Sequence, residues 1–247
     1  MPDLLERHLP VAATFAIALV AAGLLTPAAM RWSVVVGLVD HPRVGEEQRI
    51  SVPRAGGHAI YLAFVIGVLA SLAMVARDER EWVRLTGLGT GMAVLIPFAI
   101  WDDFRRLGPF VQLVAQLACA SVPVLFGITM NSISNPLAPP PFGGQIPLPE
   151  WVAIPATIIW LVLMMNSMNW LDTMDGLAGG VGAIASVFLV VVCVGLDQGS
   201  IALLPAALAG ACLGFIPFNF HPAKVFMGTT GSMFLGSVSY THLTLPT

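Results

Sequence analysis

Apolar residues in this chain come in long runs separated by short polar segments. Seven runs approach the roughly 20 apolar residues that a membrane-spanning helix needs: 9–30, 58–76, 85–101, 110–130, 151–169, 176–196 and 201–220. An eighth begins at 231–236 and is cut short. The edges of the third and fourth are set by Arg84 and by the polar stretch Asp102–Arg106. Residues 131–150 form the longest interruption, rich in Pro, Asn and Gly (NPLAPPPFGGQIPLPE), and predict an extracytoplasmic loop with turns. The pattern predicts an all-α integral membrane protein: a polytopic helical bundle with seven complete spans and the start of an eighth.

Composition agrees. Of 247 residues, 57% are hydrophobic and 10% charged, and the mean hydropathy is +0.84. Soluble domains carry about 25% charged residues, which excludes an ordinary soluble globule. The net charge of −3 excludes a nucleic-acid binder with a broad basic face. Cys119, Cys193 and Cys212 lie in apolar runs and form no paired framework. Asp3 and Glu6 spoil the positive region of a cleavable signal, and the first apolar run is long enough to span.

Alternate loops fall on opposite faces. One face collects Arg31, Arg43, Arg49, Arg54, Arg105, Arg106 and Lys224, the other Arg7, Arg77, Arg80 and Arg84. Seven against four places the first set in the cytoplasm by the positive-inside rule. Four polar loops share that side: GLVDHPRVGEEQRISVPRAGG (37–57), AIWDDFRRLGP (99–109), MMNSMNWLDTMDGLAGG (164–180) and GFIPFNFHPAKVFMGTTGS (214–232). A single cleft can gather all four.

Candidate chemistry lies in these loops. Asp102 and Asp103 end an apolar helix, where the exposed carbonyls disfavour a carboxylate by roughly 0.3–1 kcal/mol. Alone, the pair reads as solvated charges balanced by Arg105 and Arg106; the functional alternative is Mg²⁺ binding or acid–base work. Asn166, Asn169, Asp172 and Asp175 recur every third residue, a spacing that shares a helix face with a slow drift. An aspartate in a membrane helix costs about 2.5–3.5 kcal/mol at the centre, less near the end, so packing alone is a poor reason for four such residues. The competing reading is a loop that caps the next helix through Asp175. Gly228, Thr229, Thr230, Gly231 and Ser232 fit either an ordinary turn or one that directs backbone N–H groups at a phosphate. In the first loop, Pro53, Arg54, Gly56 and Gly57 read equally as a plain loop-to-helix junction or as an anion site with Arg54 as its binder. Taken singly, His221 reads as an interfacial residue and Lys224 as a snorkelling one.

Together the loops resemble the polyprenyl-phosphate N-acetylhexosamine-1-phosphate transferase family, which includes phospho-N-acetylmuramoyl-pentapeptide transferase and the enzymes that initiate teichoic acid and O-antigen. The pieces that carry the likeness are D-x-P…PRxGG (Asp40, Pro42, 53–57), W-D-D…L-x-P…Q (101–103, Leu107, Pro109, Gln116), N-x-x-N-W-x-D-x-x-DGLAGG (166–180) and GFxPFNxxPAxxFMG-x-x-GSMFLG (214–236). The stretch before the fifth span is closer to the teichoic-acid-initiating branch. The resemblance implies a fold of ten to eleven spans in a bacterial cytoplasmic membrane. It further implies transfer of a sugar 1-phosphate, as N-acetylhexosamine 1-phosphate, from a UDP-sugar to undecaprenyl phosphate at the cytoplasmic face, with release of UMP and with Mg²⁺ (or Mn²⁺) as cofactor. By match, Asp102, Asp103 and Asp175 are catalytic, the pair holding or activating the lipid phosphate. Arg54, Asn166, Asn169, Asp172, Asn219 and Lys224 bind substrate, and Asn169 and position 229 approach the metal. Undecaprenyl phosphate, UDP-N-acetylhexosamine and membrane lipids are the implied partners; nucleic acid is not one, and a homodimer stays open.

The chain departs from the family at several positions. Thr229 stands where the family's FMGD motif has a metal-binding aspartate, and Gln112 where a lysine meets the donor diphosphate. Gly45, Glu46 and Gln48 replace basic and histidine positions, and Thr173 replaces a glycine. The segment SVSYTHLTLPT is too polar to continue a span and resembles a vector- or adapter-derived end. On that reading the transferase domain covers 1–236, 237–247 is a non-native tail, and later spans with a His- and Arg-bearing loop are missing. Two other readings remain: a non-catalytic or impaired relative, supported by Thr229 and Gln112, and a secondary transporter, which the one-sided polar loops and lack of a repeat disfavour.

Overall fold

A computed structural model of the protein describes residues 2–42, 51–134 and 144–238. Eight helices follow one another: α1 Pro2–Val35, α2 Gly56–Met74, α3 Glu79–Arg105, α4 Pro109–Leu125, α5 Glu150–Leu171, α6 Leu177–Gly195, α7 Gly199–Asn219 and α8 Gly228–Val238. Two antiparallel pairs of short strands stand between them, β1 Val39–Asp40 with β2 Val52–Pro53 and β3 Ser132–Ser134 with β4 Gln145–Pro147. Among the described residues six helices are long and apolar enough to cross a membrane, and α4 is a shorter apolar helix. At 1.5 Å per residue, α4 is about 26 Å long, just short of a ~30 Å hydrocarbon core. The chain is a polytopic, all-α membrane protein.

Each predicted span coincides with a helix, and the ends that moved have local causes. The third run begins at Glu79 rather than 85 because Asp78 caps the helix, its side chain accepting from Glu81 N–H at 2.7 Å. The fourth stops at Leu125 rather than 130. There Gly127 takes a left-handed φ of +72°, and the Ile128 N–H folds back onto the Pro123 carbonyl at 2.9 Å. The fifth ends at Leu171. The series Asn166, Asn169, Asp172, Asp175 therefore does not lie along one helix face: only its first two members are helical.

α7 is the most enclosed span. It packs against α1, α2 and α6, and its small residues allow close approach. A Cβ at Gly210 or Gly214 would strike the backbone oxygens of Phe15 and Leu19 in α1. α8 sits among α2, α3 and α5, and each of its residues is buried. Large apolar side chains such as Leu24, Phe110, Leu125 and Ile184 face outward, as a lipid-facing surface requires. The expected boundary at 236/237 falls inside α8, where Ser237 and Val238 are buried; 239–247 lie outside the described residues. So do Arg43, Gly45, Glu46, Gln48 and Arg49.

Candidate functional site

The four polar loops meet at one end of the bundle, as the alternation of spans predicts. The first and fourth are joined main chain to main chain. Phe226 N–H donates to the Pro53 carbonyl at 2.8 Å, Gly56 N–H to Phe226 O at 3.0 Å, and Gly57 N–H to Met227 O at 2.8 Å. A Cβ on Gly57 would run into the backbone of Gly231. The paired glycines of PRAGG thus let α2 and α8 touch backbone to backbone.

At Gly228 the chain takes φ +76° and enters α8. The first N–H groups of a helix have no internal partner and carry partial positive charge. Here they meet carboxylates from two other loops. Gly228 N–H donates to Asp172 Oδ2 at 3.1 Å, Thr229 N–H to Asp103 Oδ1 at 2.8 Å, and Thr230 N–H to Asp103 Oδ2 at 3.0 Å. The Thr230 hydroxyl adds a bond to Asp103 Oδ2 at 2.6 Å. Asp103 is disfavoured at the negative end of α3 but lies at the positive end of α8, which offsets that repulsion. The N–H groups read from sequence as a phosphate cradle are taken by aspartates.

Asp102 is held equally fully. Its Oδ1 accepts from Leu107 N–H and from Gln112 Nε2, both at 2.8 Å, and its Oδ2 from the Thr229 hydroxyl at 2.7 Å. Asp102 is 5% and Asp103 4% exposed. The reading of the pair as solvated charges balanced by Arg105 and Arg106 is therefore corrected. Arg106 instead pairs with Asp40 at 2.7 Å, and among the described residues Arg54 pairs with Asp103 Oδ1 at 3.6 Å.

The remaining expected residues divide. Asp175 Oδ2 accepts from Ala223 N–H at 3.0 Å and faces His221 Nδ1 at 3.1 Å. Gly176 is the residue that caps α6, so Asp175 joins the third loop to the fourth instead of capping. Buried Asn219 fixes the same junction, accepting from Gly176 N–H at 3.1 Å and donating to Val225 O at 2.9 Å. Asn169 Oδ1 accepts the Ser232 hydroxyl at 2.9 Å, which puts it beside α8. Asn166 is drawn elsewhere: its Nδ2 donates to Gln116 Oε1 at 2.7 Å, an amide pair between α5 and α4. Lys224 is exposed at the same end of the bundle.

Burial, aided by the charge of Asp103 and opposed by the Gly228 N–H, pushes the Asp172 carboxyl up to about 7. Thr230 as a carboxylate donor and the Gln112–Asp102 bond escape sequence reasoning. So does His58, whose ring lies 5.4 Å from that of Trp32 and whose two side-chain nitrogens find no hydrogen-bond partner among the described residues. Its place next to the PRAGG glycines is the only signal the sequence offers.

The Asp pair as arranged does not fit a divalent cation. Six hydrogen bonds converge on its four oxygens, and the Asp103 side chain is wholly inaccessible. Mg²⁺ keeps several waters and demands near-octahedral oxygen ligands. Among the described residues no group of three or more His, Cys, Asp or Glu side chains gathers into a metal-binding set.

Residues 85–245 match the model of glycosyl transferase family 4. A probable undecaprenyl-phosphate N-acetylglucosaminyl 1-phosphate transferase of Bacillus subtilis is 34% identical over 94% of this chain and 62% of its own length. A decaprenyl-phosphate N-acetylglucosaminephosphotransferase of Mycobacterium tuberculosis is 34% identical over 81% of this chain and 52% of its own. A phospho-N-acetylmuramoyl-pentapeptide-transferase of Halalkalibacterium halodurans is 33% identical, covering 77% and 59%. The chain thus spans between half and two thirds of the length of these relatives. The family match, and the meeting of all four loops at one end of the bundle, make the chain a member of glycosyl transferase family 4.

Proposed function

We propose that the protein transfers N-acetylhexosamine 1-phosphate from a UDP-sugar to a polyprenyl phosphate of the undecaprenyl type, on the cytoplasmic face of a bacterial cytoplasmic membrane. In the balanced reaction, an oxygen of the lipid phosphate bonds to the sugar-bearing phosphorus of the donor. The bond from that phosphorus to the bridging oxygen breaks, and its electron pair leaves with UMP. The products are a lipid diphosphate sugar and UMP. The names of the relatives support a phospho-sugar transfer onto a polyprenyl phosphate. The observation that carries the reading is the junction of Asp103 with Arg54 and the start of α8.

Each residue has a task that follows from its place. Arg54, one-fifth exposed beside Asp103, offers a guanidinium to the phosphates. Asp102 and Asp103 fix the entry to α8, and Asp172 is poised near neutrality to accept a proton from the lipid phosphate. Asp175, Asn219 and His221 set the wall against which the donor lies, and Lys224 adds positive charge at its rim. The oxygens of the pair are already engaged by hydrogen-bond donors, which leaves them no place for Mg²⁺ or Mn²⁺.

A second reading, a relative that binds lipid phosphate without transfer, is favoured by the bond from Thr229 to Asp102. UMP release separates the two. Membranes carrying the protein are incubated with polyprenyl phosphate and UDP-N-acetylhexosamine. Lipid-dependent UMP release, with a matching lipid diphosphate sugar, is the expected result, and Asp103→Asn or Asp175→Asn abolishes it. Lipid phosphate binding without UMP release defeats the transferase reading in favour of the second.

A further inference from the structure

We propose that Thr229 makes the Asp102–Asp103 pair independent of divalent cations: a neutral hydroxyl holds the pair together, and a carboxylate at 229 would convert the same place into a cation site. The proposal deepens the transferase reading of this end of the bundle and depends on it only for its meaning, since its test reads binding rather than transfer.

The geometry around residue 229 is closed. Its N–H bonds to Asp103 and its hydroxyl to Asp102, at 2.8 and 2.7 Å, so one residue bridges both carboxylates. Thr230 doubles the hold on Asp103 through its N–H and hydroxyl. From the other side, Gln112 and the Leu107 N–H saturate Asp102 Oδ1. Asp103 Oδ2 and Asp102 Oδ1 each accept two donors, which uses both lone pairs. Asp103 Oδ1 faces Arg54 at 3.6 Å. A cation approaching the pair would have to displace N–H and O–H donors whose positive ends already point at the oxygens.

Position 229 decides this balance because of what surrounds it. Asp102 and Asp103 touch residue 229 itself, and Asp172 touches Gly228 next to it. A carboxylate there would join three others, with Arg54 as the nearby cation. Like charges at such separations cannot all stay ionised without a counter-charge. The hydroxyl avoids that crowding and supplies a donor where a carboxylate would need a metal. Gln112 acts in the same sense, meeting Asp102 with a neutral N–H.

The test measures cation binding by the 247-residue chain in detergent micelles. Mn²⁺ is titrated and its free signal followed by electron paramagnetic resonance; thermal midpoints are taken in Mg²⁺ and in chelator. The wild type is expected to bind Mn²⁺ no more tightly than Asp102→Asn, with midpoints that agree in Mg²⁺ and chelator. Thr229→Asp is expected to bind Mn²⁺ at least about tenfold more tightly, with a midpoint that drops in chelator and recovers by several degrees in Mg²⁺. Thr229→Ser, which keeps the hydroxyl, should behave as the wild type. If Thr229→Asp is not recovered as folded protein, Gln112→Glu puts a carboxylate against Asp102 from α4 and should show the same Mg²⁺ rescue. Mn²⁺ binding in the wild type that is lost in Asp102→Asn overturns the proposal. Absence of Mg²⁺ rescue in the carboxylate variants overturns it equally. Neither result bears on UMP release, so failure of the transferase reading is seen separately.

Discussion

Asn219 at the end of α7 accepts the backbone N–H of Gly176 at 3.1 Å, 43 positions earlier in the chain, where α6 begins. Its amide nitrogen bonds to the Val225 carbonyl, so one buried side chain sets the spacing of the third and fourth loops. Deleting a buried hydrogen-bonding group costs about 1–3 kcal/mol. Asn219→Ala should therefore lower the thermal midpoint in micelles by several degrees, and protease nicking in 220–227 should rise. An unchanged midpoint and an unchanged nicking rate would contradict this clamp.

Gly57 and Gly231 bring two helices into backbone contact. A methyl at Gly57 has nowhere to go without parting α2 from α8, and overpacking costs about 1–3 kcal/mol or more. Gly57→Ala is expected to reduce the yield of monodisperse protein sharply. Gly89→Ala in α3, where no heavy atom lies within 4 Å of the new Cβ, should leave yield unchanged. Size-exclusion profiles of the two variants make the comparison.

The Asn166–Gln116 pair gives a coupling prediction. Gln116 is 1% exposed, so removing one partner strands a buried amide, while removing both does not. Gln116→Leu and Asn166→Leu should each destabilise by about 1–3 kcal/mol. The double variant should recover at least about 1 kcal/mol relative to the sum. Additive losses in urea-induced unfolding would show that the two amides act separately.

Asp172 links stability to pH. Its carboxyl is raised from 3.8 to about 7 in the folded protein, so between those values the native state holds a proton that the unfolded chain has lost. Stability from this group is present at low pH and declines as pH rises toward 7. Asp172→Asn keeps an acceptor for Gly228 N–H and removes the titration. The midpoint of the variant should therefore gain on that of the wild type from pH 5 to pH 8. A constant difference across that range would count against the shifted carboxyl.

Much of the molecule was legible in the sequence because length and apolarity determine a span almost unaided. All four loops could be placed at one end from the alternation of runs, and Asp102, Asp103, Asp172, Asp175 and Asn219 do meet there. What could not be read was partnership. Nothing in the string WDDFRR says that Arg106 turns to Asp40, leaving Asp103 to the start of a helix more than a hundred residues later. The threefold spacing of Asn166 to Asp175 suggests a common face, but the helix ends at Leu171, inside the series, and Gly176 turns left-handed directly after it. Asn166 then finds Gln116 because both point into the seam between α4 and α5, a proximity that depends on tertiary packing and leaves no local mark.

The main-chain bonds between 53–57 and 226–227 carry a consequence for the order of assembly. The entrance to α2 finds its partners only after about 170 further residues have been made, as the positions of Gly57 and Met227 require. At the ribosome's pace of about 5–20 residues per second, that wait is on the order of ten to thirty seconds. Through this interval five helices are delivered to the bilayer while the Gly56 and Gly57 N–H groups have only water or lipid headgroups for company. α8 therefore arrives as a keystone, and the end of the bundle that gathers the aspartates closes late in biosynthesis.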